Sequence, residues 1–344
     1  MKLLLVTQAV DKKDTVLGFM HAWIAAFALK YEKITVICLK AGEYDLPSNV
    51  SVLSLGKESG PSRAKYIKNF YRYIVRERNE YDAVFVHMNQ EYVLLGALLW
   101  KLWGKRVFMW RNHHAGDWKT RLAIALCDGT FCTSKFSYTA RFKKNILMPV
   151  GVDTNVFTDK GGRRSGSILF LARIAPVKKP DLLIEALDHA AHSGTAFTAV
   201  FYGDALPKDH VYAESLREKV AKLGLGDRVG FHPGVPNTET VAVYGAYDIT
   251  VNLSTSGMFD KTIFEAMACG SLSLSSNENL QGQIDSRLLY REGDAKDLSE
   301  KLSALLALSE DEKTLLRTAC RGYAVSAHSL SSLRDRLFDM MSRP

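Results

Sequence analysis

Three groups of residues have the types and spacing to do chemistry. Arg173 and Lys178 follow the apolar run 167–172, which puts two cations in the loop after a strand. Glu265 lies in a short helical stretch that follows the apolar run Ile249–Leu253. His87 ends the run Ala83–His87, and His113 and His114 follow the run Val107–Arg111. In open parallel sheets, ligands bind beyond the carboxyl ends of strands, where all three groups fall. Fixed cations there stabilise a leaving group that gains negative charge as its bond breaks. An imidazole there positions reacting groups or moves a proton. The histidines have neither i, i+4 spacing nor a carboxylate partner, so no metal is expected.

The elements that must hold these residues read as βαβ units. Ser254–Ser276 begins as a polar loop and continues as a helix over Thr262–Ala268 with Ile263, Phe264 and Met267 at helical spacing. Gly270 is its C-cap candidate, and Ser271–Ser275 alternates as a strand. Upstream, Ala196–Tyr202 is a strand ending at Gly203-Asp204, and Val229–His232 leads into Pro233-Gly234-Val235-Pro236. The chain opens with a strand over Lys2–Thr7, a loop over Gln8–Gly18, a helix over Phe19–Tyr31 and a strand over Ile34–Leu39. Only Gly18 marks that loop–helix junction, and without G-x-G-x-x-G a nicotinamide dehydrogenase is disfavoured. Gly129–Ser134 reads as a strand whose serine caps a following helix.

Glu265-Ala-Met-Ala-Cys-Gly resembles the helix signature of the retaining GT-B glycosyltransferases, glycosyltransferase family 4. Arg173-x4-Lys178 resembles the family's G-R-x4-K-G, with Ala172 and Lys179 in place of the glycines, and 151–157 (GVDTNVF) resembles its interdomain junction. The resemblance implies an α/β GT-B fold: two Rossmann-like domains with an interdomain cleft and a C-terminal crossover helix. It implies that Arg173 and Lys178 hold a diphosphate, that Glu265 binds ribose hydroxyls, and that helix-start N–H groups face the phosphates. Gly203 lets backbone approach the donor, Val235 meets the nucleobase, and Gly18 lies beside phosphates and acceptor. His113 or His114 sits near the reacting sugar. Gly257 stands where the family's first Glu of E-x7-E contacts the sugar. Asp260 then has two readings, an acceptor of sugar hydroxyls or an N-cap, and Lys261 offsets phosphate charge.

The implied function is retaining, metal-independent transfer from a UDP- or GDP-sugar to a hydroxyl of a glycan or lipid-linked acceptor, in cell-surface polysaccharide or glycoconjugate synthesis. A non-catalytic nucleotide-sugar binder and an epimerase of the same fold are the alternatives. No cofactor or nucleic acid is expected.

Length and composition suit this reading. The 344 residues exceed one ordinary core and suggest residues 1–157 as an acceptor domain, 158–166 as linker, 167–325 as a donor domain and 326–344 as a returning helix. The five cysteines show no metal-like spacing and read as buried free thiols in a reducing cytoplasm. No signal peptide or membrane span is expected from the short opening run Met1–Val6. The net charge of +8 is uneven: residues 1–155 hold 23 Lys and Arg against 13 Asp and Glu, and the remainder 22 against 24. A basic first half suits something anionic. The helix expected over Ser62–Arg78 interleaves cations with Tyr66, Phe70, Tyr71 and Tyr73. It either lies on an anionic membrane surface as a peripheral element or packs its aromatic stripe inward.

Overall fold

The computed structural model describes residues 1–14 and 16–343. The chain divides into two compact units, 1–151 with 236–238 and 330–344, and 152–235 with 239–329.

The first unit is built on seven strands: β1 (Lys2–Val10), β2 (Lys33–Ala41), β3 (Val50–Ser54), β4 (Ala83–His87), β5 (Arg106–Trp110), β6 (Gly129–Cys132) and β7 (Asn145–Leu147). Their order is β3-β2-β1-β4-β5-β6-β7, parallel throughout. Both faces are covered, which is why the central strands are continuous apolar runs rather than alternating ones. Leu3 and Leu5 face a core with Trp23 and Phe27 of α1 (Phe19–Ala28). Leu4 and Val6 face the opposite core, closed by α2 (Arg63–Arg76), α3 (Gln90–Leu102) and α4 (Trp118–Leu126). Local signals start two of these helices. The Ser62 side chain caps α2 by accepting from Lys65 N–H, and Asp117 and Thr120 form a capping box on α4.

The aromatic stripe of α2 packs inward. Phe70 and Ile74 are buried, and the hydroxyls of Tyr66, Tyr71 and Tyr73 donate to the carbonyls of Gly60, Leu95 and Ser54. The cations point outward.

The second unit has five parallel strands: β8 (Arg164–Leu171), β9 (Thr198–Tyr202), β10 (Val229–His232), β11 (Tyr247–Asn252) and β12 (Leu272–Ser275), in the order β10-β9-β8-β11-β12. Around it lie α5 (Pro180–His192), α6 (His210–Lys222), α7 (Thr240–Gly245), α8 (Lys261–Ala268), α9 (Ala295–Ala307) and α10 (Glu310–His328). Asp248, near the amino end of β11, is 1% exposed and pairs with Lys313 at 2.9 Å and with Arg317, both on α10. This buried network ties α10 to the strand that leads into the Glu265 helix.

Several expectations are corrected. Residues 152–157 belong to the second unit: Val152 N–H donates to the His328 carbonyl, and Phe157 packs on Tyr244. The expected linker ends early because Arg164 already begins β8 and lays its guanidinium over the Tyr247 ring. Residues 326–328 complete α10, and α11 (Leu330–Ser342) then joins the first unit, packing Leu333, Leu337 and Met341 into the α1 core. No α-helix follows β6. The Ser134 hydroxyl instead accepts from Phe136 N–H in a turn, and only a short 3-10 segment follows at Tyr138–Arg141. Among the described residues no helix is long and apolar enough to cross a membrane. All five cysteines are free and buried.

The Asp248 network yields a stability prediction. Asp248→Ala strands two buried cations and should lower unfolding free energy by about 3–5 kcal/mol. Glu310→Ala, at the exposed rim of the same network, should cost under ~1 kcal/mol. Urea titration followed by circular dichroism measures both, and equal effects would show that burial of the pair is not what matters.

Candidate functional site

In the second sheet β8 and β11 are neighbours, and the chain leaves them toward opposite sides, β9 and β10 on one and β12 on the other. That is the topological switch point, where the carboxyl-end loops part and leave a crevice. The loop 172–179 leaves β8 there and the loop 253–260 leaves β11.

On the β8 side, backbone bonds lock three strand ends together. Ala172 N–H donates to Tyr202 O, Ile174 N–H to Asp204 O, and Gly203 N–H to His232 O, each at 3.1 Å. Gly203 must be glycine, because a Cβ there would lie 1.9 Å from the Ala172 carbonyl oxygen. Arg173 is exposed in this loop. Lys179, in place of the family's glycine, takes a left-handed backbone at φ 51° and bonds Glu292 at 3.0 Å. Beside this group is a pocket of about 370 Å³ lined by Ile174, Gly203, Asp204, Arg217, His232 and Pro233. Gly234 N–H donates to the Asp204 carboxylate at 3.1 Å, which holds the half-buried Val235 next to it.

Lys178 reaches across to the β11 side. Its ammonium is 3.1 Å from Ser254 Oγ and forms an ion pair with Asp260, whose carboxylate also accepts from the Ser254 hydroxyl. Asp260 occupies the N-cap position of α8 but makes no side-chain cap bond, so the capping reading is set aside. Burial would raise the Asp260 carboxyl. The Lys178 ammonium, with hydrogen bonds from Lys178, Ser254 and Asn252, outweighs burial and holds it below the usual range. The loop is braced from behind. Asn277 Nδ2 donates to Met258 O at 2.7 Å and Asn279 Nδ2 to Ser256 O at 2.9 Å, on either side of the buried Gly257.

One turn into α8, Glu265 is 5% exposed and accepts from the Tyr244 hydroxyl at 3.1 Å. Burial first, and the Glu265 charge second, push the Tyr244 phenol well above its usual value, so it remains a neutral donor. Lys261 begins α8 and is half-buried. Burial pulls its ammonium down to about 7, against the opposing pull of the Glu265 and Asp153 carboxylates.

The structure thus gathers Lys178, Asp260, Lys261 and Glu265 into one charged cluster, with Arg173, Gly203 and Val235 at the adjoining strand ends. The sequence reading did not single out Ser254, Tyr244 or Asp153. Their one signal was polar character at a strand end, inside the apolar segment before β11, or after a glycine. Among the described residues no three His, Cys, Asp or Glu side chains gather in a metal-holding arrangement.

Gly18, His113 and His114 lie in the first unit. Gly18 is the N-cap residue of α1 with ordinary helical φ of −53°. Its small size is needed because a Cβ would sit 2.5 Å from Asp14 O. The rings of His113 and His114 stack at 4.5 Å, with His113 half-buried and His114 exposed. Burial is the main cause of a lowered His113 pKa, aided by His114 and Arg111. His113 Nδ1 meets the Ala115 backbone, 3.0 Å from its N–H and 3.2 Å from its carbonyl oxygen, which fixes the ring orientation. His87 is corrected to a core residue: it is 4% exposed, lies 3.5 Å from Thr7 Oγ1, and packs against the rings of Phe19 and Trp23.

Lys261 sets a pH dependence. Its folded pKa of about 7 lies below the ordinary lysine value of 10.5, so between these limits the unfolded chain binds the extra proton. Stability should therefore rise with pH across that window, and the penalty is fully present below pH 7. Thermal midpoints of wild type and Lys261→Met should converge as pH rises from about 6 to 10. A constant gap would remove Lys261 as the source.

Comparison with known proteins follows the same geography. Residues 162–321, nearly all within the second unit, match the family described as glycosyl transferases group 1. A D-inositol 3-phosphate glycosyltransferase of Acidothermus cellulolyticus is 31% identical over 139 residues, covering 36% of this chain and 31% of that protein. The chain therefore aligns with only about a third of the length of such curated relatives. Across the whole chain the likeness is one of fold. Anabaena Alr3699/HepE, solved in complex with UDP, superposes with a TM-score of 0.79 at 18% identity, over 99% of this chain and 100% of that one. Sucrose-phosphate synthase of Thermosynechococcus elongatus gives 0.75 at 15% identity, over 99% and 98%. The chain is a two-unit α/β protein of the GT-B fold, and residues 162–321 match the glycosyl transferases group 1 family.

Proposed function

We propose that the protein is a retaining glycosyltransferase that uses a nucleoside diphosphate sugar as donor and a hydroxyl of a glycan or lipid-linked molecule as acceptor. The observation that carries this reading is the cluster at the β8–β11 switch point: Lys178 on one strand end, Asp260 and buried Glu265 on the other, with exposed Arg173 alongside. Two cations and a buried carboxylate match the two halves of such a donor. The diphosphate takes Arg173, Lys178 and the N–H groups opening α8, and Glu265, steadied by Tyr244, accepts the ribose hydroxyls. The adjoining pocket, of about 370 Å³, has the size of a small-ligand site, with Val235 backbone beside it for the base. UDP and UDP-glucose complexes of Alr3699/HepE support a uridine donor.

Asp260 takes the place of the carboxylate missing at Gly257. Lys178 and Ser254 hold it ionised and oriented, so it accepts hydroxyls of the sugar next to the phosphates. Arg173 and Lys178 supply the charge that a divalent metal supplies elsewhere, and they act most strongly as the glycosidic bond breaks and the diphosphate gains charge. The acceptor oxygen attacks the anomeric carbon from the leaving-group face. Its proton passes to the departing phosphate oxygen, so configuration is retained and no protein base is consumed. The first unit holds the acceptor, where the His113 ring, held at Nδ1 by the Ala115 backbone, positions a reacting group. The product is a cell-surface glycan or glycolipid precursor, made in the cytoplasm.

The test is a thermal-shift panel of UDP- and GDP-sugars followed by transfer assays with glycan and lipid-linked acceptors. Arg173→Met and Lys178→Met should each lower transfer about 10²–10³-fold. Glu265→Gln should weaken donor binding and leave the free protein folded. Donor binding with neither transfer nor slow hydrolysis would favour the non-catalytic binder to which Gly257 lends weight. Release of free sugar or an epimer without acceptor would favour the epimerase. Donor-induced stabilisation that survives all three substitutions would overturn the site assignment.

A further inference from the structure

Helices α2, α3 and α4 cover one face of the first sheet as a single layer. Phe70 of α2 packs against Tyr92 at a tilt and edge-on against Trp100 of α3, the Tyr71 hydroxyl donates to Leu95 O, and Gln90 of α3 accepts from Thr120 of α4 at 2.7 Å. What this layer turns outward differs from the aromatic stripe the sequence suggested, because those rings point into the core. Its outer surface carries aliphatic residues and one tryptophan. Leu98 and Leu102 on α3 are 67% and 80% exposed, and Trp118 on α4 is 69% exposed. Leu122 on α4, and Ile67 and Val75 on α2, are also exposed. The spacings 98/102 and 118/122 put each pair on one helix face, and 67/75 returns to the same face after two turns.

The charge of the layer is one-sided. The three helices carry eight Lys and Arg against one acidic residue, Glu91; of the eight, Arg76 pairs with Glu77 at the end of α2 and Lys101 with Asp128. Arg63, Lys65, Lys68, Arg72 and Arg76 are all exposed on α2, and Lys119 and Arg121 flank Trp118 and Leu122 on α4. One feature separates this face from a protein-binding patch. Protein interface cores are depleted in lysine, whereas here Lys65, Lys68 and Lys119 are exposed among the apolar residues of the layer. Long cationic side chains around Leu and Trp instead suit a headgroup layer, where stems lie against apolar surface and charges reach phosphate.

We propose that the outer face of α2, α3 and α4 docks on an anionic phospholipid bilayer. Leu98, Leu102, Trp118 and Leu122 enter the acyl boundary while the α2 and α4 cations meet lipid phosphates. The proposal stands on the first unit alone and does not depend on the donor assignment.

Co-flotation tests it, using the full chain with vesicles of phosphatidylcholine alone and of phosphatidylcholine and phosphatidylglycerol in equal parts. Binding is expected to the anionic vesicles only, and raising the salt should release the protein. Neutralising cations in Arg72→Gln/Arg76→Gln should weaken binding roughly fivefold per charge removed. Leu98→Ser/Leu102→Ser should weaken it at least about tenfold at unchanged charge. Both positions are exposed, so circular dichroism and thermal midpoint should match wild type. The arginine pair provides an independent arm if they do not. Failure to float with anionic vesicles, equal binding to neutral ones, or indifference to both double substitutions would overturn the proposal. So would light scattering that shows a dimer which Leu98→Ser/Leu102→Ser converts to monomer, since the face would then join two copies of the chain.

Discussion

The ion pair between Lys178 and Asp260 joins the two strand ends between which the second sheet divides. β8 and β11 lie side by side, but their carboxyl-end loops run apart, and a crevice between diverging loops has no backbone ladder to keep it in shape. The Lys178 ammonium spans it, with Ser254 as a second anchor on the β11 side. A half-buried pair of this kind keeps both charges in place before any ligand arrives, so less reorganisation is needed on binding. The same β11 strand is fixed at its other end by Asp248, Lys313 and Arg317. One strand is thus held by charge at both ends and by apolar packing between them.

With glycine at 257 the loop has no carboxylate at that point, and buried contacts to Asn277 and Asn279 fix its course instead. Three residues along, the Asp260 carboxylate faces Lys178. Lys261 follows at once, and burial brings it to the edge of neutrality. Beside the exposed Arg173, the cluster therefore holds two lysines of different character: Lys178 is paired with Asp260, and Lys261 is poised to change its charge with pH.

The first unit distributes its chemistry differently. Its apolar content is used on both faces of the sheet, with the rings of α1 on one side and those of α2 and α3 on the other. The excess positive charge is left on the outer surface of the helical layer. At the carboxyl edge, His87 is taken into the core by Phe19 and Trp23, which leaves the stacked His113 and His114 as the imidazoles near solvent.

Much of this was legible in the amino-acid order. Strands buried on both faces show up as uninterrupted apolar runs, and Ala83–His87 was read to the residue for that reason. Spacing also revealed the helix around Glu265, the Arg173–Lys178 pair and the family resemblance, because each is a local pattern. Packing decided the rest. Ser134 has the character of a helix cap, yet its hydroxyl closes a turn. Asp260 has the character of an N-cap, yet its carboxylate serves a lysine 82 residues away in sequence. The tyrosines of α2 look equally suited to a membrane and to a core. Their hydroxyls find carbonyl partners only once α2 lies against its neighbours, and the leucines of α3 then become the exposed ones. Local sequence determines backbone period and the inventory of charged groups. Which of them meet depends on strand adjacency and on which face is desolvated, and those exist only in the folded chain.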